Sequence, residues 1–231
     1  MTIIPVTIVE LENATPTIKY LKLDLSDHDF EYKAGQWIDC YADINGERHI
    51  VGYSIASNPL DKGFIELAVK KSDNTISNWI HEKANLNDTL HIDGGQGEIF
   101  YTREMSENIV LLAAGIGIAS IRGILHYANS IGNIRANLVY SASTPEELAF
   151  HREFQRISNK NKLIKYHPTV TKAMGSGLNQ GRIDKKLLDS LNLENDSLYY
   201  ISGPPEMISD VISDLKDLRI EEEKIKFELW W

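Results

Sequence analysis

The sequence predicts two domains, an N-terminal antiparallel β-barrel followed by a doubly wound parallel α/β domain. Three observations support this fold class. Short β-rich runs fill the first hundred residues, strands alternate with helices in the remainder, and a polar, charged segment separates the halves. We place the domains at residues 1–103 and 107–231, with Tyr101–Asn108 as the linker. A chain of 231 residues is long enough for each domain to bury its own core.

The N-terminal half contains five β-rich runs and one helical stretch. Turn residues such as Asn45-Gly46 and Asn58-Pro59 separate the runs, which is typical of a small antiparallel barrel. The helical stretch covers about Thr75–Lys83. The predicted strands are Ile3–Glu10, Thr17–Leu25, Trp37–Ile44, His49–Ser57 and Phe64–Lys70.

The C-terminal half alternates between strands and helices. A buried-strand run, Ile109–Ala113, is followed by apolar residues at helical spacing. Thr144, Pro145 and Glu147 form an N-cap, a first-turn proline and a capping-box glutamate, which predicts a helix that begins there. Pro205 opens another helix. The remaining predicted strands are Leu138–Ser141, Leu198–Ile201 and Ile225–Leu229.

Composition narrows the classes of function. The net charge of −9 disfavours a general nucleic-acid or anionic-membrane surface. The single cysteine, Cys40, cannot form an internal disulfide or hold an iron–sulfur cluster. The seven histidines show no metal-ligand spacing on one helix, so we expect no metal site. With no run of 18 apolar residues and no basic-then-apolar leader, we expect a cytoplasmic protein without membrane insertion. Its oligomeric state is not predicted.

A glycine turn follows the first predicted strand of the second half. Gly115-Ile116-Gly117-Ile118 lies where a strand passes into a helix, and a helix N-terminus attracts phosphate. The third glycine of the dinucleotide-binding fingerprint is absent. Taken alone, the turn fits a nucleotide site and a purely geometric need for glycine equally well.

Five motifs together resemble the ferredoxin-NADP⁺ reductase-like family. Gly52–Ser57 resembles its flavin-binding Arg-x-Tyr-Ser-x-x-Ser motif, and Gly94–Phe100 resembles its Gly-Pro-x-Gly-x-Phe turn. Ala114–Ile118 resembles its nicotinamide-nucleotide turn, and Tyr200–Met207 its Cys-Gly-Pro-Pro-x-Met motif. Phe227–Trp231 resembles its terminal Glu-x-aromatic sequence. The motifs occur in family order, which makes the joint signal stronger than any single motif.

This resemblance implies a flavin-dependent NAD(P)H oxidoreductase. Hydride passes between nicotinamide C4 and flavin N5, and electrons go to a separate acceptor such as a ferredoxin, a flavodoxin or another redox partner. We expect FAD in preference to FMN, with NADH or NADPH as the donor. The expected catalytic residues are Ser54, Ser202 and Glu228. The expected flavin-binding residues are Tyr53, Ser54, Val69, Ser77, Gly95, Gly97, Trp230 and Trp231. The expected nicotinamide-nucleotide residues are Gly115, Ile116, Gly117, Ile118, Ser141, Lys172, Arg182, Gly203, Pro204 and Met207.

Two departures from the family pattern leave an alternative open. Val51 occupies the position of the arginine that neutralises the FAD pyrophosphate, and Lys70 or Lys71 is a candidate replacement. Ser202 replaces the family cysteine. FMN therefore stays open as the flavin, and a flavin-poor module acting as an interaction subunit stays open as the function. For Ser77, a simple helix cap is an equally good interpretation.

The choice of nucleotide and the role of the last two residues are also predicted. Ser143 lies where NADP users often carry arginine, so we favour NAD, although Lys172 and Arg182 are candidates for a 2′-phosphate contact. We expect Trp230 to cover the flavin face opposite Tyr53. Packing at the sheet edge or in a dimer contact is the other interpretation of the terminal tryptophans.

Overall fold

The computed structural model describes residues 2–26, 28–172, 177–191, 193 and 196–229. The first domain is a six-stranded antiparallel sheet in the order β4-β3-β6-β1-β2-β5. An antiparallel bridge between Ile55 and Leu67 joins the two edge strands, so that the sheet curls into a barrel. The strands are β1 Ile4–Asn13, β2 Ile18–Asp24, β3 Trp37–Ile44, β4 Glu47–Ser54, β5 Phe64–Lys70 and β6 Thr89–Gln96.

One helix, α1 (Thr75–Glu82), closes the barrel between β5 and β6. Asn74 caps its N-terminus by accepting a hydrogen bond from the backbone N–H of Ser77 at 3.0 Å. Its buried residues, Ile76 and Ile80, pack into the barrel core with the inward-facing strand residues. The capping geometry holds the start of α1 at the mouth of the barrel, beside the end of β5.

The second domain is a parallel sheet in the order β10-β9-β8-β7-β11-β12 with helices on both faces. Its strands are β7 Asn108–Ala114, β8 Arg135–Ala142, β9 Ile164–Val170, β10 Asn179–Gln180, β11 Leu198–Ser202 and β12 Ile225–Phe227. Its helices are α2 Ile118–Ile131, α3 His151–Lys160, α4 Lys185–Ser190 and α5 Pro205–Asp217. The strand order reverses at β7, and ligands bind at the carboxyl ends of the strands beside such a reversal.

The predicted fold class is confirmed, but several elements differ from the sequence prediction. Strands β9 and β10 and helix α4 are absent from the predicted set. Strand β6 is missing from the predicted set, because only Leu90 and Ile92 mark its buried face among Asp and Gly residues. The helix predicted to begin at Thr144 is also wrong. A short 3-10 turn, Pro145–Glu147, occupies that position, and α3 begins only at His151.

Glu147, the expected capping-box residue, makes a contact between the domains instead. The Glu147 carboxylate accepts hydrogen bonds from the hydroxyls of Thr15 (2.9 Å) and Thr17 (2.7 Å) in the barrel. It is therefore not used in a capping box with Thr144. Phe150 then adopts a left-handed conformation with φ +60° before α3 starts.

Helix α2 packs between the parallel sheet and the barrel. Its Ile121, Ile124 and Leu125 belong to one buried cluster that also contains Ile18 and Ala56 of the barrel. The domains therefore share a continuous apolar core on this side. The predicted boundaries at residues 103 and 107 stay a prediction.

Candidate active site

The interdomain cleft, a cavity of about 670 Å³, lies between the open side of the barrel and the carboxyl ends of the parallel strands. Strands β3 and β4 form one wall, with Trp37, Tyr53 and Ser54 lining it. The turns after β7 and β11 form the other wall and bring Ile116 and Ser202 to the cleft. Glu228 of the terminal motif lines the cleft as well, so four of the predicted motifs, far apart in sequence, meet here.

Tyr53 provides a buried aromatic surface in this wall. It packs against the barrel core, and it also lines the cleft. Its hydroxyl oxygen is buried and makes no hydrogen bond to any described residue. Burial raises the pKa of this phenol, so the hydroxyl stays protonated and able to donate. A buried hydroxyl without a hydrogen-bond partner lowers the free energy of unfolding. A cofactor whose polyol or ring atoms accept hydrogen bonds fits this site, because it would supply the acceptor.

Ser54 and Trp37 face each other in the ladder between β4 and β3, and both line the cleft. Gly97 lies against Trp37, since a Cβ at Gly97 would come within 2.7 Å of the indole nitrogen. Gly95 turns the chain just before it, with φ +76°. Neither glycine lines the cleft. Gly97 packs against Trp37, whereas Gly95 packs against the backbone of Glu31.

Glu228 reaches the same cleft from the end of the parallel sheet. Burial raises the pKa of its carboxyl, and a hydrogen bond from Trp37 opposes that shift. Trp37 was not among the predicted site residues, although its position at the start of a predicted strand was known. The predicted stacking residues Trp230 and Trp231 lie outside the described residues.

Two cations, Lys70 and Lys71, line the cleft at the end of β5, while Val51 occupies the position of the family arginine. Lys71 forms an exposed ion pair with Glu82 at 3.4 Å. Arg48 points elsewhere, because both of its hydrogen bonds go to Asp43 on the neighbouring strand. The lysines are therefore the positive groups that the fold places at the cleft.

Besides Gly95 and Gly97, two further predicted flavin residues do not line the cleft. Val69 is fully buried in the barrel core. The hydroxyl of Ser77 donates to the carbonyl of Lys70 at 2.8 Å and accepts from the backbone N–H of Ser72 at 3.1 Å. These bonds fix the end of β5 against the start of α1. Ser72 and Asn74 line the cleft in place of Ser77.

The turn after β7 and the turn after β11 pack tightly against each other. At Gly117 a Cβ would come within 2.1 Å of the carbonyl oxygen of Ser202, so only glycine fits. Ser120 donates a hydrogen bond to the Ser202 hydroxyl at 3.2 Å. Gly203 packs on Ala114 of β7 and also lines the cleft. The second glycine of the turn is thus required for packing between the motifs, which the sequence alone left open.

The strand-end pocket is a second cavity, of about 360 Å³, beside the cleft. Of the predicted nucleotide residues, it is lined by Gly115, Ser141, Arg182, Pro204 and Met207. The other five lie elsewhere. Ile116, Gly117 and Gly203 line the interdomain cleft, and Ile118 is fully buried in the core below the turn. Lys172 is exposed and does not line the pocket, although the neighbouring Thr171 does.

Acidic residues that the sequence analysis did not select also line the strand-end pocket. They are Glu147, Glu206 and Asp210, against Lys70 and Arg182 as the lining cations. Glu206 and Asp210 are four residues apart on α5, so they share one face of that helix. This spacing after the Pro204-Pro205 pair was visible in the sequence and was the signal that would have identified them.

Comparison with known proteins matches this geometry. Residues 5–101 match the oxidoreductase FAD-binding domain, and residues 111–212 match the oxidoreductase NAD-binding domain. Oxidoreductase NAD-binding domain-containing protein 1 from Bos taurus is 32% identical, over 94% of this chain and 77% of the relative. The Homo sapiens protein of that name is 32% identical over 94% of this chain and 76% of the relative. The chain belongs to this family of FAD- and NAD-binding oxidoreductases.

Solved structures with this fold include reductases of the ferredoxin-NADP⁺ reductase type. The FAD/NAD-binding domain of nitric oxide dioxygenase from Vibrio cholerae superimposes with a TM-score of 0.90, covering 98% of both chains at 19% identity. A ferredoxin NADP⁺ reductase from Neisseria gonorrhoeae with bound FAD and NADP gives 0.83, over 99% of this chain and 98% of that chain, at 22% identity. The resemblance stated from the motifs is confirmed.

This oxidoreductase thus combines an FAD-binding barrel with an NAD-binding α/β domain. The interdomain cleft lies between them and the strand-end pocket lies at the strand reversal of the second. None of the helices in the described part of the chain is long and apolar enough to cross a bilayer.

Proposed function

We propose that this oxidoreductase is an NADH-dependent flavoprotein reductase that holds FAD in the interdomain cleft and passes electrons to a separate acceptor. One observation carries the proposal: the two cavities adjoin at the Gly115–Gly117 turn, and Lys70 lines both. A flavin in the cleft and a nicotinamide nucleotide in the strand-end pocket can meet only at such a junction, where their reactive rings must lie in contact.

The cleft residues bind and orient the reactants. FAD supplies, when bound, a ring that accepts a hydride and can release electrons singly. Tyr53 offers its ring face and its unpaired hydroxyl, and Ser54 offers a hydroxyl on the adjacent position of β4. Ser202, held by Ser120 at 3.2 Å, presents a fixed hydroxyl on the opposite wall. NADH is oxidised to NAD⁺ as its hydride leaves.

Glu228 lies beside these groups at the cleft. Because burial raises the pKa of its carboxyl, this side chain carries a proton at a higher pH than an exposed glutamate does. The hydrogen bond from Trp37 keeps the carboxyl at the cleft. We assign Glu228 the role of holding and releasing the proton that accompanies electron transfer.

Lys70, Lys71 and the start of α1 take the place of the missing arginine at Val51. The lysines supply positive charge, and the N-terminus of α1 contributes free N–H groups near Ser72 and Asn74. A lysine pairs with phosphate as a point charge and lacks the bidentate fork of arginine. FAD binding is therefore expected to depend on ionic strength.

The strand-end pocket favours NADH over NADPH. Three carboxylates and two cations line it, and a 2′-phosphate would add up to two further negative charges beside them. Replacing Glu206 by Gln and Asp210 by Asn together should raise the efficiency of flavin reduction by NADPH roughly fivefold at moderate salt. The exposed Asp189→Asn variant on α4 is the control and should leave the ratio unchanged. A wild-type protein reduced faster by NADPH would contradict the assignment.

The acceptor is proposed to be a separate one-electron carrier of the ferredoxin or flavodoxin class. The 231 residues contain one cysteine, too few to hold an iron–sulfur cluster on this chain. Steady-state NADH oxidation should therefore be slow alone and rise when such a carrier is added. Equal rates with and without every carrier of this class would remove this part of the proposal.

The visible spectrum of the purified protein tests the whole proposal. We expect flavin absorbance near one equivalent after FAD titration, and bleaching of that absorbance by NADH without oxygen. A colourless protein that takes up neither FAD nor FMN would support the flavin-poor interaction module instead.

A further inference from the structure

Arg122 lies on α2 at the boundary between the domains, with only 8% of its side chain exposed. Its Nη1 donates hydrogen bonds to the carbonyl of Ala56 at 2.8 Å and to the carboxylate of Glu66. Its Nε and Nη2 donate to the two carboxylate oxygens of Glu153 at 2.8 and 3.0 Å. The guanidinium also lies over the ring of Phe150, 4.6 Å from its centroid.

The partners of Arg122 belong to different domains. Ala56 and Glu66 are in the barrel, and Glu153 is on α3 of the NAD-binding domain. The Nε and Nη2 atoms of Arg122 thus hold α2 to its own domain. The Nη1 atom holds the same helix to the barrel. Ala56 lies two residues after Ser54, so the contact reaches the end of the flavin-motif segment.

The acidic partners are themselves held in place. Tyr20 donates a hydrogen bond to Glu66 at 2.7 Å, on the barrel side. His126, one turn further along α2, bonds to Glu153 at 2.7 Å. A buried cluster of this kind gains little stability over a well-packed apolar one, because removing the charges from water is costly. A requirement for one fixed geometry explains its presence better than stability does.

The next residue shows how closely the helix approaches the barrel. At Gly123 a Cβ would lie 3.0 Å from the carbonyl oxygens of Ile55 and Ser57, so the backbones touch there. The same helix follows directly from the Gly115–Gly117 turn. Arg122 lies five positions after Gly117 along the helix, a rise of roughly 7–8 Å. Over so short a distance α2 acts as a rigid link between the two cofactor regions.

We propose that Arg122 is a positioning residue for hydride transfer. Its two-sided fork fixes α2 against the Ile55–Ser57 segment and thereby sets the distance and angle between the nucleotide-binding turn and Tyr53-Ser54 of the flavin wall. The inference rests on the proposed function, because it requires a flavin in the cleft and NADH at the turn.

The two acidic partners provide a matched test. Glu66→Gln breaks the half of the cluster that crosses between the domains, and Glu153→Gln breaks the half within the NAD-binding domain. Arg122→Lys keeps the charge but loses the fork. The flavin-loaded proteins are mixed with NADH in a stopped-flow instrument without oxygen. The rate constant of flavin reduction at saturating NADH, the charge-transfer absorbance and the melting temperature are measured for each variant.

We expect Glu66→Gln and Arg122→Lys to lower the limiting rate constant about tenfold or more, since a displacement of about 1 Å can cost on the order of a hundredfold. Their charge-transfer absorbance should weaken. Glu153→Gln should lower the melting temperature by a similar amount but keep the limiting rate within about twofold. A purely structural role for Arg122 predicts equal effects of the two glutamate substitutions on rate, and that result would overturn the proposal.

A milder variant covers the case in which Glu66→Gln loses its flavin. Tyr20→Phe removes the hydroxyl that holds Glu66 and retains every charge of the cluster. It should lower the limiting rate several-fold with flavin content unchanged, whereas an unchanged rate would count against positioning. If the wild-type protein takes up no flavin or is not reduced by NADH, the proposed function fails. If the wild-type protein is reduced normally and the variants have equal limiting rate constants, only the positioning role of Arg122 fails.

Discussion

Replacing Tyr53 by phenylalanine removes one buried hydroxyl that has no hydrogen-bond partner among the described residues. An unsatisfied buried polar group costs about 1–3 kcal/mol, so the apoprotein should gain roughly that amount of stability. For a chain of this size the gain corresponds to about 2–4 °C in Tm per kcal/mol. If FAD satisfies the hydroxyl in the holoprotein, the variant loses that contact and FAD affinity falls by roughly 5- to 150-fold.

The apoprotein is expected to become more stable while its FAD affinity falls, and these opposite signs make the experiment decisive. Thermal unfolding of flavin-free protein gives the first, and quenching of FAD fluorescence on titration gives the second. Tyr32→Phe is the matched control, because the Tyr32 hydroxyl is hydrogen-bonded to Ser57 at 2.8 Å. Its loss should destabilise the apoprotein by about 1 kcal/mol. A Tyr53→Phe protein that is less stable without flavin, or that binds FAD as tightly as the wild type, would refute the reasoning.

Three further predictions follow from close packing, burial and charge. Gly117→Ala places a Cβ against the Ser202 carbonyl and should destabilise the protein by about 3 kcal/mol or more in urea unfolding. The control variant Gly115→Ala brings its Cβ near no other atom and should cost only about 1 kcal/mol, because its φ is positive. Equal losses of stability would argue against close packing between the turns after β7 and β11. Burial, with a smaller effect from a neighbouring carboxylate, raises the pKa of the Cys40 thiol to about 12, so a thiol reagent at pH 8 should modify it only in denaturant, and rapid native labelling would contradict that burial. Burial acts to raise the pKa of Glu153, but the hydrogen-bonded Arg122 and His126 outweigh burial and lower it to about 2 from 4.5. On the order of 3 kcal/mol of folding stability should therefore be present above pH 4.5 and be lost as the pH falls towards 2. Glu153→Gln should reduce this loss of Tm at acidic pH.

The sequence by itself determined the fold class and the family. Local signals sufficed where neighbouring residues define the structure. The run Phe64–Lys70 and the proline that opens α5 at Pro205 were predicted with the bounds that the structure has. Tyr53, Ser54 and Ser202, which the motifs selected as site residues, line the interdomain cleft. Strand periodicity, helix starts and glycine turns are encoded within a few residues, so they can be identified without tertiary contacts.

Only the tertiary structure decided which residues meet across the domains. Glu147 completes a capping-box pattern in the sequence, yet Thr15 and Thr17 of the barrel take its carboxylate and the helix starts later. Ser77 and Val69 face the barrel and not the cleft, because each is held by contacts with its own strand, helix or core. Arg122 carried no motif signal, and its partners lie 31 to 66 residues away. Such contacts depend on how separate elements pack, which no local pattern specifies.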